Sequence, residues 1–208
     1  MRITTARNKL ARREGTDLGL KTPGSKAHAS LLRKLNILPG QHGTGTRRRR
    51  KQSERGKQLR EKQKLRYMFG LSEKQLKNYF KKAVAMKGNS ALNISQLLER
   101  RLDNVVYRLG VAPTRPSARQ LVNHRHIKVN GEIVDIASYQ VSAGDELTFT
   151  SEKSAKIPWV ESSLANKDLL IPAWLKKEDT RGKFVAEPTS EEIEKQVDLR
   201  SVIEFYSR

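Results

Sequence analysis

Apolar positions recur every three or four residues over two long stretches of the chain and every second residue over one short stretch. From 72 to 84, Leu76, Tyr79, Phe80, Ala83 and Val84 step at helical intervals, which predicts an amphipathic helix. Ser72 and Gln75 have the spacing of a capping box at its start, and Lys87-Gly88-Asn89 ends it. Upstream, residues 47–69 keep only a thin stripe of Leu59, Leu65, Met68 and Phe69, punctuated by Gly56 and Gly70. A short helix is predicted at about 27–36, with Leu31, Leu32 and Leu35 on one side. The rest of 1–46 holds Pro23-Gly24, Pro39-Gly40 and glycines 43 and 45, which predicts extended chain and turns.

The second helical stretch begins near 94. Ile94, Leu98, Leu102, Val105 and Leu109 share a face of one helix that Gly110 stops. Thr114 can cap the next helix and Pro116 is tolerated in its first turn, with Ala118, Leu121 and Val122 facing the core. Asn130-Gly131 then forms a two-residue hairpin turn of the type that needs positive φ. In that register Ile127 pairs with Val134 and Val129 with Glu132, and Ile127, Val129, Val134 and Ile136 share a face. "AGDELTFT" (143–150) offers a third strand with Leu147 and Phe149 on one side. Residues 151–175 read as loop and short helix. Thr189 with Glu192 suggests another capped start, and Val202, Phe205 and Tyr206 predict a closing helix that packs on the body. The pattern is α+β.

Charge changes the picture. The formal net charge is +20, and residues 1–93 hold 25 Lys and Arg against 5 Asp and Glu, a net of +20. Residues 94–150 carry 7 against 6, and 151–208 carry 10 against 11. A solvated surface mixes both signs, so this asymmetry predicts a polyanionic partner. Residues 47–66 alone hold 11 cations and 2 Glu. Duplex nucleic acid carries a charge every ~1.7 Å of its axis and suits such a stripe. A solvated linker would balance Lys with Glu, and a membrane surface would need a wider apolar face. In the second stretch Arg101, Arg108, Arg115, Arg119, Asn123, His124, His126 and Lys128 could form one basic surface edged by hydrogen-bond donors. That mixture fits phosphates and 2′-hydroxyls of structured RNA, and ordinary surface charges are the alternative.

Other chemistries are poorly represented. There is no cysteine, which excludes a disulfide scaffold and a Cys-ligated zinc site. His28, His42, His124 and His126 are the only histidines, none at metal-ligand spacing with a nearby acid. Nothing matches a P-loop or a Rossmann turn, and no nucleophile sits beside a base. No enzyme activity, cofactor, metal or small-molecule substrate is expected. Thermal melts with added zinc and with chelator should therefore coincide, and a reproducible shift of several degrees would reveal a missed site. The N-terminus lacks an apolar signal core, and no apolar run approaches roughly 18 residues, so a soluble cytoplasmic protein without membrane contact is expected.

Six motifs carry a resemblance: "RREGTDLGLK" (12–21), "PGQHG" (39–43), "QLREKQKLRYMFG" (58–70), "LLERRLDNVVYRLG" (97–110), "ARQLVNHRHIKVNGEIVDIASYQV" (118–141) and "VIEFYSR" (202–208). In this order, and over nearly the whole chain, they resemble the family of the fourth protein of the small ribosomal subunit in its bacterial, cysteine-free form. Residues from about 94 to 155 also resemble the RNA-binding domain named after that family. The resemblance implies a structural protein that binds small-subunit ribosomal RNA directly, nucleates assembly of the subunit body and supports decoding accuracy. It also implies a place beside the third and fifth proteins of the subunit, near where mRNA enters. The implied architecture is a basic arm (1–46), a helical domain (47–93) completed by a returning segment (173–208), and between them an RNA-binding domain with its connector (94–172), two helices on a short antiparallel sheet.

Residues and resemblance together give the RNA-binding candidates Arg12, Arg13, Lys21, Gln41, His42, Arg47, Arg48, Arg49, Arg50, Lys51, Arg55, Lys57, Arg60, Lys62, Lys64, Arg66, Tyr67, Arg101, Arg108, Arg115, Arg119, Asn123, His124 and Lys128. The family's "SDYG" stands here as Ser53-Glu54-Arg55-Gly56, a cation in place of an aromatic. Some relatives hold zinc with four N-terminal cysteines. This chain has none, so its arm must fold by packing and RNA contact. Two other classes share the small domain: an RNA-modifying enzyme, which would need a catalytic domain of ~150 residues or more, and a free ribosome-rescue or tRNA-binding factor, which has no need of the long basic segment.

Overall fold

The structure, a computed structural model, describes residues 5–43, 53–166, 170–178, 180–189, 193 and 195–207. Among these the helices are α1 (Arg7–Glu14), α2 (Lys26–Arg33), α3 (Glu54–Met68), α4 (Glu73–Ala85), α5 (Ser90–Glu99), α6 (Leu102–Arg108), α7 (Arg115–Asn123), α8 (Glu152–Ala155), α9 (Pro158–Ala165) and α10 (Leu199–Ser207). The strands are β1 (Ile127–Val129), β2 (Glu132–Ile133), β3 (Glu146–Phe149), β4 (Leu175–Glu178) and β5 (Arg181–Phe184). The chain forms two compact units, residues 1–94 with 190–208 and residues 95–189. No described helix is long and apolar enough to cross a membrane.

In the first unit the arm is more regular than the turn-rich sequence predicts. Residues 7–14 form α1, which ends on Gly15 at φ 67°. Leu10, Ala11, Leu18, Leu20 and Leu31 close a small core of their own. Ser25 caps α2 by accepting from the His28 amide, and His28 Nε2 meets Asp17 Oδ2 at 2.8 Å. Gly56 does not interrupt α3; it lies in its first turn and donates to the Ser53 cap. The Ser72–Gln75 capping box forms in both directions, each bond satisfying an otherwise orphaned donor. Leu76 and Ala83 are buried, but the apolar stripe of α4 stops there, since Val84 is exposed. The last helix, α10, packs on α3. Gln58 donates to Glu204 at 2.8 Å, Tyr206 donates to Glu73 at 2.8 Å, and the Phe80 and Tyr206 rings lie 5.0 Å apart. Burial and that bond to Glu73 raise the Tyr206 pKa well above its ordinary value. The Thr189–Glu192 capping box falls partly outside the described residues.

In the second unit, the single helix expected from 94 to 109 is broken. Arg101 turns extended, at φ −64° and ψ 134°. The amides of Leu102 and Asp103 donate to Tyr139 and Ala137, and the Val141 amide donates to Arg100. Pairing with the 137–141 segment thus replaces one turn of helix. Thr114 caps α7 as predicted, accepting from the Ser117 amide. The hairpin register is also as predicted, with Lys128 opposite Ile133 and Val129 opposite Glu132. Asn130 at φ 50° and Gly131 at φ 86° make its turn. Ile136, expected on the buried face, is 59% exposed, because the chain leaves β2 after Ile133.

The sheet is five-stranded, in the order β2-β1-β3-β5-β4, and every pairing is antiparallel. Strands β4 and β5 correct the expected boundary. Residues 173–189 belong to this unit and not with 190–208, because β5 pairs with β3 through Glu146–Lys183 and Leu147–Gly182. Gly182 is required by close approach: a Cβ there would stand 2.3 Å from Leu109 Cδ1. The core includes Leu102, Val105, Leu109, Leu121, Ile127, Leu147, Trp174 and Phe184. Leu121 is 1% exposed, so Leu121→Ala is expected to cost roughly 2–5 kcal/mol, measured by urea unfolding.

Candidate nucleic-acid interface

The predicted residues of the first unit separate into several environments. A cleft there is lined by Arg12, Arg13, Lys57, Arg60 and Lys64 against three carboxylates, Glu14, Glu61 and Asp198. It joins two runs that are some forty residues apart in sequence. Arg12 is partly committed elsewhere: it donates to the Ile37 and Leu38 carbonyls at 2.9 and 3.0 Å, tying the loop after α2 to α1. Arg60 donates to Glu14 at 3.2 Å and Lys64 pairs with Glu61 at 2.6 Å. Burial raises the Glu14 carboxyl above its ordinary range despite the opposing Arg60. Arg13 and Lys57 are exposed, Lys57 in a surface pair with Glu54. Lys21 is half-buried, and Gln41 and His42 are exposed in a turn.

Three predicted contacts of α3 are tied to its neighbours. Lys62 is 5% exposed, pairs with Glu73 at 2.8 Å and sits 4.5 Å from the Phe205 ring centre. It fastens α10 to α3 and is not available to RNA. Arg66 reaches the same carboxylate at 3.7 Å and lies 4.7 Å from the Tyr67 ring, which itself packs on the arm's core. Burial works to raise the Glu73 pKa, but Lys62, Tyr206 and Arg66 outweigh it and leave it lowered. Arg55 is exposed, 5.9 Å from the Phe205 ring. Arg47, Arg48, Arg49, Arg50 and Lys51 lie outside the described residues.

The second unit corrects the reading more sharply. Arg101 and Arg115 are 3% and 8% exposed, too little for them to line an RNA surface. Asp103 accepts from Arg101 through Oδ1 at 3.1 Å and Oδ2 at 2.9 Å, and its Oδ2 also takes Arg119 Nε at 2.7 Å. Glu99 takes both Arg108 Nε at 3.0 Å and Nη2 at 2.7 Å, and accepts from Asn104. Asn104 in turn accepts from Arg115 at 2.8 Å, whose guanidinium stacks 4.6 Å over Tyr107. Burial and the nearby Arg108 pull the Arg115 pKa below its ordinary value. Arg101 and Arg115 are interior struts, because a buried charge persists only when paired and hydrogen-bonded, while Arg108 and Arg119 reach inward to the same carboxylates from partly exposed positions. Sequence spacing put Arg108, Arg115 and Arg119 on helices but also put Arg101 on one, where it is extended, and it could not show that Glu99 and Asp103 face them.

What remains on this unit's surface is the end of α7 and the sheet. Asn123, His124 and Arg125 are exposed, and His126 Nδ1 meets Ser154 Oγ at 3.0 Å. Arg125 stands at φ 63° and pairs with Asp135 at 3.0 Å. Lys128 is half-exposed on the sheet face opposite the core. Arg119 is intermediate, its side chain 28% exposed while bound to Asp103. Arg119→Ala is therefore expected to lower stability by about 1.5–3 kcal/mol, the scale of a hydrogen bond to a charged group, whereas Lys128→Ala leaves the melting temperature unchanged and weakens RNA binding. Circular-dichroism melts beside filter binding separate the two. No group of three or more acidic, His or Cys side chains suited to a metal occurs among the described residues.

An arm-bearing helical unit joined to a small two-helix, antiparallel-sheet unit is the arrangement of an S4-domain protein. The family described as Ribosomal protein S4/S9 N-terminal domain matches residues 2–99, and the S4 domain matches residues 100–147. The small ribosomal subunit protein uS4 of Stenotrophomonas maltophilia (strain K279a) is 48% identical over 204 residues, 96% of each chain. Those of Xanthomonas campestris pv. campestris (strain B100) and Xanthomonas oryzae pv. oryzae (strain PXO99A) are 46% identical over the same lengths. The chain belongs to the uS4 family of small ribosomal subunit proteins, a family of ribosomal components and not of enzymes.

Proposed function

We propose that the protein is a structural component of the small ribosomal subunit that binds its ribosomal RNA directly, early enough to nucleate assembly of the subunit body. The observation that carries this reading is the segregation of charge. The whole excess of +20 lies in residues 1–93, and in the described part of that segment the cleft gathers Arg13 and Lys57 with three further cations. Phosphate neutralisation gives affinity, and the nearly neutral second unit adds exposed donors at Asn123 and His124 that suit 2′-hydroxyl and backbone contacts. The same proposal extends, as the motif resemblance implies, to a place beside the third and fifth proteins of the subunit, near where mRNA enters, with an influence on decoding accuracy. Sedimentation of the endogenous protein tests the reading. Stoichiometric recovery in small subunits, including early assembly particles, is expected; substoichiometric recovery released by salt would mark a transient factor instead.

A further inference from the structure

The outer face of α4 carries none of the residues assigned to RNA above, yet its exposed charge is of one sign. Lys74, Lys77, Lys81 and Lys82 are all exposed. None pairs with a carboxylate among the described residues, and no Asp or Glu occurs anywhere from Lys74 to Leu98. The one acid of the helix, Glu73, is taken by Lys62, Arg66 and Tyr206. At about 100° per residue Lys74, Lys77 and Lys81 fall within roughly 60° of one another, and they span about 10 Å of axis. Leu76 and Ala83, on the opposite side, are buried, so the lysine stripe is fixed outward by the same packing that holds the helix.

We propose that this face of α4 is a separate contact surface for the phosphate backbone of RNA, resting on the ribosomal RNA-binding function proposed above. Like charges one turn apart on a helix repel each other, a cost that a polyanion reverses. Lysine also presents a compact, rotatable charge without the planar fork that reads base edges, so the surface fits phosphates and not sequence. An acidic protein would satisfy the charge as well, but protein interfaces centre on aromatic and aliphatic anchors. Val84 is a single exposed apolar residue at the edge of the stripe, seven positions after Lys77, and one aliphatic side chain is too little for such a centre.

The test uses the full chain and in vitro transcribed small-subunit ribosomal RNA. Lysine acetylation of the wild-type protein, read by mass spectrometry with and without RNA, should show Lys74, Lys77 and Lys81 protected in the complex. The triple variant Lys74→Gln, Lys77→Gln, Lys81→Gln should melt like wild type, bind at least tenfold more weakly, and show a log K against log salt slope shallower by about 2–3. The triple Lys→Arg variant should bind like wild type. Unprotected lysines, or a glutamine variant with unchanged slope while wild type binds steeply, overturn the inference and leave the RNA-binding function standing. An unchanged RNA slope with loss of a neighbouring ribosomal protein would assign the face to protein and also overturns it. Failure of the wild-type protein to bind this RNA would instead overturn the function on which the inference rests.

Discussion

Raising monovalent salt from about 50 to 200 mM is expected to weaken binding to small-subunit ribosomal RNA by about a thousandfold, a log–log slope of −5 or steeper. Six phosphates neutralised, at roughly 0.9 counterion released for each on a duplex, give that slope. The structure reduces the number of cations free to take part, because Arg60, Lys62, Lys64 and Arg66 already face carboxylates. Enough remain. Lys9, Arg13, Arg33, Lys34 and the four lysines of α4 are exposed and form no ion pair among the described residues, and each can exchange a condensed counterion for a phosphate. Filter binding at several salt concentrations measures the slope. A value near −1 to −2 would mean that the basic segment stays solvated in the complex, and direct phosphate binding by residues 1–93 would be lost as an explanation of their charge.

Features governed by neighbours in sequence were legible without coordinates. Asn130-Gly131 announces a turn that only two residues at positive φ can make, and the alternation around it then dictates the register. Ser72 with Gln75 and Thr114 before Pro116 announce helix starts, because capping needs only residues within one turn. Features governed by distant partners were not. The helix from 94 breaks at Arg101 because residues 137–141 offer hydrogen bonds that compete with the helix, and nothing at Arg101 itself is a breaker. Strands β4 and β5 read "LKKE" and "RGKF", with too few apolar positions to show a period of two. They become strands by pairing onto β3 and by Gly182 fitting beneath Leu109.

The candidate site divides along the same line. Exposed cations such as Arg13 and Lys57 could be found from composition, because a density of like charge is itself the signal. The arginines of 101–119 share that composition, yet Arg101 and Arg115 are interior and Arg108 and Arg119 are tied to interior carboxylates. Discriminating them needs the knowledge that Asp103 and Glu99 point inward. The balance of six acids and seven bases over residues 94–150 fits a solvated surface equally well, since Glu132, Asp135 and Glu146 are exposed.

Replacing Glu99 by alanine is expected to cost about 3–5 kcal/mol, the scale measured when one partner of a buried ion pair is removed. Glu99 is 0% exposed, and it accepts from both Asn104 and Arg108 at the centre of the network that Arg115 joins through Asn104. Without it, Arg108 loses two charge-assisted bonds, Asn104 loses an acceptor, and the Arg115 guanidinium loses the nearby negative charge that favours its protonated form. A domain's total stability is about 5–15 kcal/mol, so the variant should lose about a fifth of it or more, read as a proportionate fall in the urea midpoint at unchanged m. Glu99→Gln keeps the shape and one acceptor and should fall between alanine and wild type. The same logic separates structure from RNA contact at Arg115: Arg115→Gln should melt early and, while folded, bind RNA as the wild type does. Early loss of RNA affinity at an unchanged melting temperature would return Arg115 to the binding surface, and a Glu99→Ala protein that unfolds with the wild-type midpoint would show that the interior network adds nothing to the stability of the second unit.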